Sequence, residues 1–317
     1  MSLLSEFRAK IGILRDHVTM EPRIRESLRR IDGKLLLLLD NQLDIRAVRP
    51  AEGRLRLRQE VELLILRVLD AVAKQNGIPY WLMYGTLLGA VRHGGFVPWD
   101  DDLDIALLED DYEKFHTLLP SALPDGLEVQ RWRSANHPRL GIMRAIDRAT
   151  GCFVDIYPHL RVPGAISSAA GTTAWERDYL AYLDAVIKPD GHKPLTDAER
   201  DGMRKWIASH AQGDGDEEGI AVSPEYATVV PLYRKVFPAS DILPLSTRSF
   251  EGFDFPVPNR PDKVLERIYD TYDRFPGDAG VSHLSPEAVR VDVRTLRASI
   301  DRLHADLERI SEAQAKA

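Results

Sequence analysis

The chain has 317 residues, 44% of them apolar, enough for one large domain or a domain with helical additions. Its net charge of −7 argues against nucleic acid as a partner, since phosphate backbones need a basic surface. The lone Cys152 excludes an internal disulfide framework and a cysteine-based zinc site. No apolar run reaches the roughly 18 residues of a spanning helix, and MSLLSEFRAK is unlike a signal peptide, so a cytoplasmic location is expected.

Residues 3–45 read as helix, with Ile11, Leu14, Val18, Ile24, Leu28, Ile31, Leu35 and Leu38 recurring mostly at spacings of three or four. Pro22 interrupts or restarts this helix, and Gly33 weakens it. Residues 1–60 carry 13 Lys/Arg against 9 Asp/Glu. A solvated helix with mixed charges accounts for that excess. Peripheral association with an anionic membrane face is the alternative. Self-association into a homodimer through the N-terminal helices and simple packing of an added layer both fit the apolar spacing.

Residues 46–54 read as a link. A helix follows from about Leu55 to Asn76, with Leu57, Val61, Leu64, Leu66, Val68, Leu69 and Val72 on its apolar face and Gly77 as its stop. Tyr80–Tyr84 reads as a strand, Thr86–His93 as a short helix ending at Gly94-Gly95, Leu103–Leu108 as a second strand and Asp110–Leu119 as a helix. Leu140–Ile146 and Phe153–Tyr157 fit two further strands. Beyond them, helices are expected near 173–187, 197–210 and 224–236. The acidic stretch at 213–219 reads as a solvated loop, because its spacing does not suit calcium. A strand over 248–257, a helix over 260–273 and a charged helix over 286–315 close the chain. The order is that of a mixed α/β (α+β) fold.

The chemistry concentrates in YGTLLGAVRHGGFVPWDDDLDI, where Asp100, Asp101, Asp102 and Asp104 fall within five positions. Side chains two apart on a strand project together, so Asp102 and Asp104 pair while Leu103 turns to the core. Adjacent carboxylates repel unless a cation neutralises them, and oxygen-only ligands favour a hard ion such as Mg²⁺. Gly85 and Thr86 sit at a strand-to-helix turn where backbone N–H groups and the helix dipole suit a phosphate. Arg92 and His93 lie at the other end of that helix. They reach a phosphate, or Arg92 instead pairs with an aspartate. Asp155, inside the apolar CFVDIYP, is costly unless paired or metal-bound. A salt bridge to Arg144 or Arg148 competes with metal ligation there. Two carboxylates on one strand and a third on another make a two-metal phosphoryl or nucleotidyl transfer site, with Asp155 also able to accept a proton.

GTLLGAVRHGGFVPWDDDLDI resembles the signature of the LicD family of phosphotransferases, phosphocholine transferase-like and related to the fukutin proteins. The resemblance extends to LRLRQEVELLILRVLDAVAKQNGIPYWL before it, and to CFVDIYP and SFEGFDFPVPNRPDKVLERIYDTYDRFP after it. It implies a nucleotidyltransferase-fold mixed sheet flanked by helices over about 55–276. A helical N-terminal extension over 1–50 and a C-terminal helical extension over 280–317 would lie outside it. It also implies Mg²⁺ or Mn²⁺, a CDP-linked donor with release of CMP, and a glycan acceptor such as a lipopolysaccharide, teichoic acid or capsule precursor at the inner face of the membrane. By motif position Asp102, Asp104 and Asp155 become the catalytic metal ligands, and Gly85 and Thr86 the donor-phosphate turn. Asp100, Asp101 and Trp99 shape the loop around them. The sequence departs from the family at Asp270, where a glycine is expected after Tyr269. A phosphocholine donor would need an aromatic cage; Trp81, Tyr84, Trp99, Trp132 and Tyr157 are candidates, although such residues are more often core. Two rival readings are a nucleotidyltransferase moving NMP from an NTP, and a non-catalytic binding module of the same fold.

Overall fold

The computed structural model describes residues 43–134, 137–162, 218–222, 236–275 and 286–316, with isolated positions between 181 and 209. The N-terminal helix expected over 3–45 lies almost wholly outside the described residues. So do the acidic loop at 213–217 and most of the three helices expected between 173 and 236. Among the isolated positions, Tyr182 and Trp206 are helical and their rings stack at 4.7 Å.

Helix α1 (Gly53–Gln75) buries Val61, Leu64, Leu66, Val68, Leu69 and Val72, as its spacing predicts, and it stops at Asn76 before Gly77 at φ +60°. Strand β1 (Trp81–Leu82) is much shorter than the strand expected over Tyr80–Tyr84. It pairs with β2 only at Trp81↔Ala106 and Leu82↔Ile105. The Met83 amide then donates to the Asp104 carbonyl, and the Met83 carbonyl takes the Leu87 amide. That exchange begins α2 (Tyr84–Arg92) two residues ahead of Thr86. Strand β2 (Leu103–Leu108) and α3 (Glu109–Ala122) follow.

Next come β3 (Leu127–Ser134), β4 (His137–Asp147) and β5 (Phe153–Val162). β3 was not expected, although the Leu127/Val129 alternation carries its signal. β6 (Gly219–Val222) and β7 (Val236–Pro238) complete a seven-stranded mixed sheet whose main path is β1-β2-β5-β4-β3. Among the described strands only β2 and β5 run parallel, in a register that sets Asp104 beside Asp155. β5 takes β4 on its other side and then β6 further along.

The single strand expected over 248–257 is a hairpin, β8 (Ser246–Phe250) and β9 (Phe253–Val257). Glu251 (φ +52°) and Gly252 (φ +83°) form its turn, and the left-handed backbone there breaks the strand in two. Between β7 and β8 lies the one-turn helix α4 (Ala239–Ile242); α5 (Pro261–Tyr269) follows the hairpin. The C-terminal region is α6 (Pro286–Arg290) and α7 (Val293–Lys316). Leu296, Leu303 and Leu307 of α7 join the same core as Leu64, Leu69, Ile105 and Ile156. No helix among the described residues is long and apolar enough to cross a membrane.

Candidate metal centre

The parallel β2/β5 junction assembles the site. Leu103 is fully buried, Asp102 precedes it and Asp104 follows it, and Asp155 stands opposite Asp104 on β5. Carboxylate oxygens of Asp102, Asp104 and Asp155 all lie within 4.8 Å of one another. Burial and the charges of Asp104, Asp100 and Asp155 hold the Asp102 carboxyl well above its usual range. A cation would relieve that cost, because it favours the ionised form of every carboxylate in the group. The donor set is all oxygen, which suits Mg²⁺ or Mn²⁺.

Asp155 also makes the salt bridge that competed with ligation in the sequence. Arg144, its cross-strand neighbour on β4, donates from Nε (2.6 Å) and Nη2 (2.7 Å) to the two carboxylate oxygens. The guanidinium lies 3.4 Å from the Phe153 ring centroid. Arg148 turns elsewhere, to Glu128 at 3.9 Å. The Arg144 guanidinium takes one position on each Asp155 oxygen and fixes the orientation of the carboxylate. The arrangement therefore suits Asp155 to hold charge in place more than to act as a base.

The glycine of the turn has a different reason from the one its sequence position suggests. Gly85 lies in the first turn of α2, not at the end of a strand, and the residue in the left-handed region is Tyr84 (φ +47°). A Cβ at Gly85 would stand 2.6 Å from Asp100 Oδ2 and 3.8 Å from Asp104 Oδ2. Glycine here leaves room for the Asp100 carboxylate against the helix backbone. Thr86 is buried, and its hydroxyl accepts the Asp104 amide at 2.7 Å, which fixes the start of β2. Met83, at the N-cap of α2, makes no side-chain capping bond.

At the other end of α2, Arg92 does not hydrogen-bond an aspartate among its described contacts. Its Nη1 donates to the Tyr272 carbonyl (2.6 Å) and its Nε to His93 Nε2 (3.0 Å), while Nη2 is buried with no partner among the described residues. Burial and the neighbouring Arg92 lower the His93 pKa to about 4. His93 is thus neutral near pH 7 and orients Arg92 rather than adding a second cation. Trp99 is half-buried, stacks on Phe275 with centroids 5.8 Å apart, and faces the Arg92 guanidinium. Trp81, Tyr84 and Tyr157 are core residues: Tyr84 meets Tyr157 edge-on at 4.9 Å, and Trp81 meets His159 at 5.4 Å. Of the aromatic candidates with described side chains, only Trp99 is partly exposed. The Trp132 side chain lies outside what is described.

Sequence reasoning passed over three residues of this neighbourhood. Tyr269, at the end of α5, is close enough to Asp104, Asp100 and Asp102 for their charges to add to burial in raising its phenol well above the usual range. Glu62 and Gln59 of α1 are buried beside the aspartate turn, and Gln59 Nε2 donates to the Asp100 carbonyl at 2.9 Å. Their signal was two polar residues in the buried 59-62-66-69 stripe of an otherwise apolar helix face.

Comparison with known proteins agrees with this geometry. Residues 77–205 match the family model described as LicD/FKTN/FKRP, nucleotidyltransferase domain. The lipopolysaccharide cholinephosphotransferase LicD of Haemophilus influenzae is 45% identical over 65 residues, 20% of this chain and 24% of the relative. The human ribitol 5-phosphate transferase FKRP is 42% identical over 57 residues, 18% of this chain and 11% of the relative. Mannosyltransferase regulator 4 of Saccharomyces cerevisiae is 27% identical over 143 residues, 40% of this chain and 11% of the relative. The matched stretches thus span less than a quarter of the length of each of these relatives.

Proposed function

We propose, from the match of residues 77–205 to the LicD/FKTN/FKRP nucleotidyltransferase-domain model, that the chain is a metal-dependent phosphotransferase acting on glycans. It moves a phospho-alcohol or phospho-sugar group, such as phosphocholine, from a CDP-linked donor to a glycan hydroxyl. The observation that carries this reading is the approach of the Asp102, Asp104 and Asp155 carboxylates within 4.8 Å across a parallel strand pair. The names of two relatives, a cholinephosphotransferase and a ribitol 5-phosphate transferase, support the class of group transferred. A lipopolysaccharide, teichoic acid or capsule precursor at the inner face of the membrane is the acceptor in this reading, with the enzyme in the cytoplasm.

The acceptor oxygen attacks the phosphorus that bears the alcohol. The bond from that phosphorus to the bridging oxygen breaks, CMP leaves, and the acceptor proton passes to solvent or a site carboxylate. Bound Mg²⁺ or Mn²⁺ would neutralise the diphosphate and ease deprotonation of the hydroxyl. Asp102 and Asp104 would hold that charge in place, with Asp155 kept oriented by Arg144. Thr86 locks Asp104 through its backbone amide. The N-terminus of α2, beside the carboxylates, adds favourable dipole charge for the donor phosphates. Arg92, held by His93 and the Tyr272 carbonyl, supplies a fixed positive charge beside the approach.

The test is calorimetric binding and turnover of CDP-choline, CDP-glycerol and CDP-ribitol, with CMP and ATP as controls, with and without Mg²⁺ or Mn²⁺. Metal-dependent binding of one CDP compound is expected. Asp104→Asn should lower turnover at least about 100-fold with the fold intact. Preference for ATP over every CDP compound would overturn the donor assignment and favour NMP transfer. Unchanged turnover in Asp104→Asn would overturn the metal assignment.

A further inference from the structure

The aspartates are delivered by the stretch from Gly94 to Asp100, which belongs to no helix or strand. Its far end is fixed at Asp100. The Val97 carbonyl takes the Asp100 amide (2.9 Å), and the Asp100 carbonyl takes Gln59 Nε2 (2.9 Å). Its near end is held by Glu251, in the β8–β9 turn. Glu251 Oε1 accepts the Phe96 amide (3.1 Å), and the Glu251 amide donates to the Gly94 carbonyl (2.9 Å). The other carboxylate oxygen, Oε2, accepts Arg56 Nη2 (2.7 Å), which ties Glu251 to α1. Arg56 and Gln59 stand one turn apart on α1, so one helix braces both ends of the stretch. The buried Phe96 ring packs on Phe250, the neighbour of Glu251, with centroids 5.1 Å apart.

Glu251 is a strained residue. Its φ of +52° lies in the left-handed region, which a side chain with a Cβ rarely adopts, and Gly252 beside it has φ +83°. Glycine at 251 would relieve that strain. A strained glutamate with both carboxylate oxygens engaged indicates that the position needs the side chain rather than the turn. The Val97–Asp100 turn begins at the residue after Phe96, so the position of the Phe96 amide is passed directly to the aspartates.

We propose that Glu251 is a positioning residue for the metal centre. By holding the Phe96 amide it sets where Asp102 stands against Asp104 and Asp155, and thereby how tightly a divalent cation binds there. The inference rests on the metal-centre reading and is independent of which group is transferred.

The experiment titrates the metal-free full-length protein with Mn²⁺ alone and reads affinity from the loss of the free-ion paramagnetic resonance signal. Four forms are compared at a temperature where circular dichroism shows all of them folded. Glu251→Gly removes the carboxylate and the backbone strain together, so the turn is kept while the Phe96 amide loses its acceptor. It should bind Mn²⁺ about tenfold more weakly than the wild type. Glu251→Gln keeps an acceptor for Phe96 and gives up only the partly exposed pair with Arg56, so its affinity should stay within about threefold of the wild type. Leu303→Ala, in the core under α7, should lower the melting temperature and leave the affinity unchanged. A merely structural Glu251 would move the melting temperature alone. Unchanged affinity in Glu251→Gly would overturn the proposal. So would equal weakening in Glu251→Gln, which would remove the Phe96 contact as the cause, or in Leu303→Ala, which would make general destabilisation the cause. A wild type that binds no Mn²⁺ would remove the metal centre and this inference with it. A wild type that binds, with Glu251→Gly unchanged, would remove this inference alone.

Discussion

Asp155 shows how one buried carboxylate answers two demands. Its Arg144 partner satisfies both oxygens by a fork at 2.6 and 2.7 Å, while those oxygens stay within reach of Asp102 and Asp104. Removing the guanidinium leaves Asp155 buried among like charges. Arg144→Met should therefore cost about 3–5 kcal/mol in metal-free buffer. Adding Asp155→Asn should recover part of that loss, as read from urea denaturation of the four forms. A cost below about 1 kcal/mol would show that the pair is not what stabilises this strand junction. His159 is a second single-residue case. It is fully buried on β5 against Trp81, and burial lowers its pKa from 6.5 to about 4. Its folded-state value is below the unfolded one, so its contribution is complete above pH 6.5 and is lost as pH falls toward 4. Between pH 7 and 4 the stability of His159→Phe relative to wild type should improve by about 3 kcal/mol, measured by denaturation at each pH. A pH-independent difference between the two proteins would refute this.

Among the elements, α5 and its end are the most informative. Val264, Leu265 and Ile268 bury one face, and this seats Tyr269 over the aspartates. The chain then reverses at Asp270, at φ +57°, where glycine avoids the Cβ clash that any other residue meets. The sequence departure at this position is thus a matter of backbone strain. Asp270→Gly should raise stability by about 1 kcal/mol, seen as a higher melting temperature. A lower melting temperature would mean that the Asp270 side chain makes a compensating contact. The β8–β9 turn serves the site from the other side. Glu251 accepts the Phe96 amide (3.1 Å) and Arg56 Nη2 (2.7 Å), and its own amide reaches the Gly94 carbonyl. The Gly94-Gly95 corner is thereby clamped between α1 and the hairpin. A Cβ at Gly95 would meet Glu251 Oε1 at 2.3 Å, which explains the second glycine of the pair.

At the scale of the molecule, α7 is built into the core. Asp147, fully buried at the end of β4, accepts from Thr150, from Ser299 (2.8 Å) and from Arg302, so a single carboxylate pins α7 to the sheet. Leu303, fully buried, should cost about 2–5 kcal/mol when changed to alanine. Chemical denaturation showing a cost under about 1 kcal/mol would mark α7 as an appended arm. The division of information follows from physics. Local pattern alone determined α1, the span of β2, the mixed α/β class and the aspartate pair, because helix and strand periods and the two-residue alternation of a strand are properties of neighbouring residues. The strand partner of Asp104, the choice of Arg144 over Arg148, the reason for Gly85 and the presence of Glu62, Gln59 and Tyr269 beside the aspartates were decided only by tertiary structure. Each depends on contacts between segments about ten to about 170 residues apart, where register and packing, not local spacing, set which groups meet.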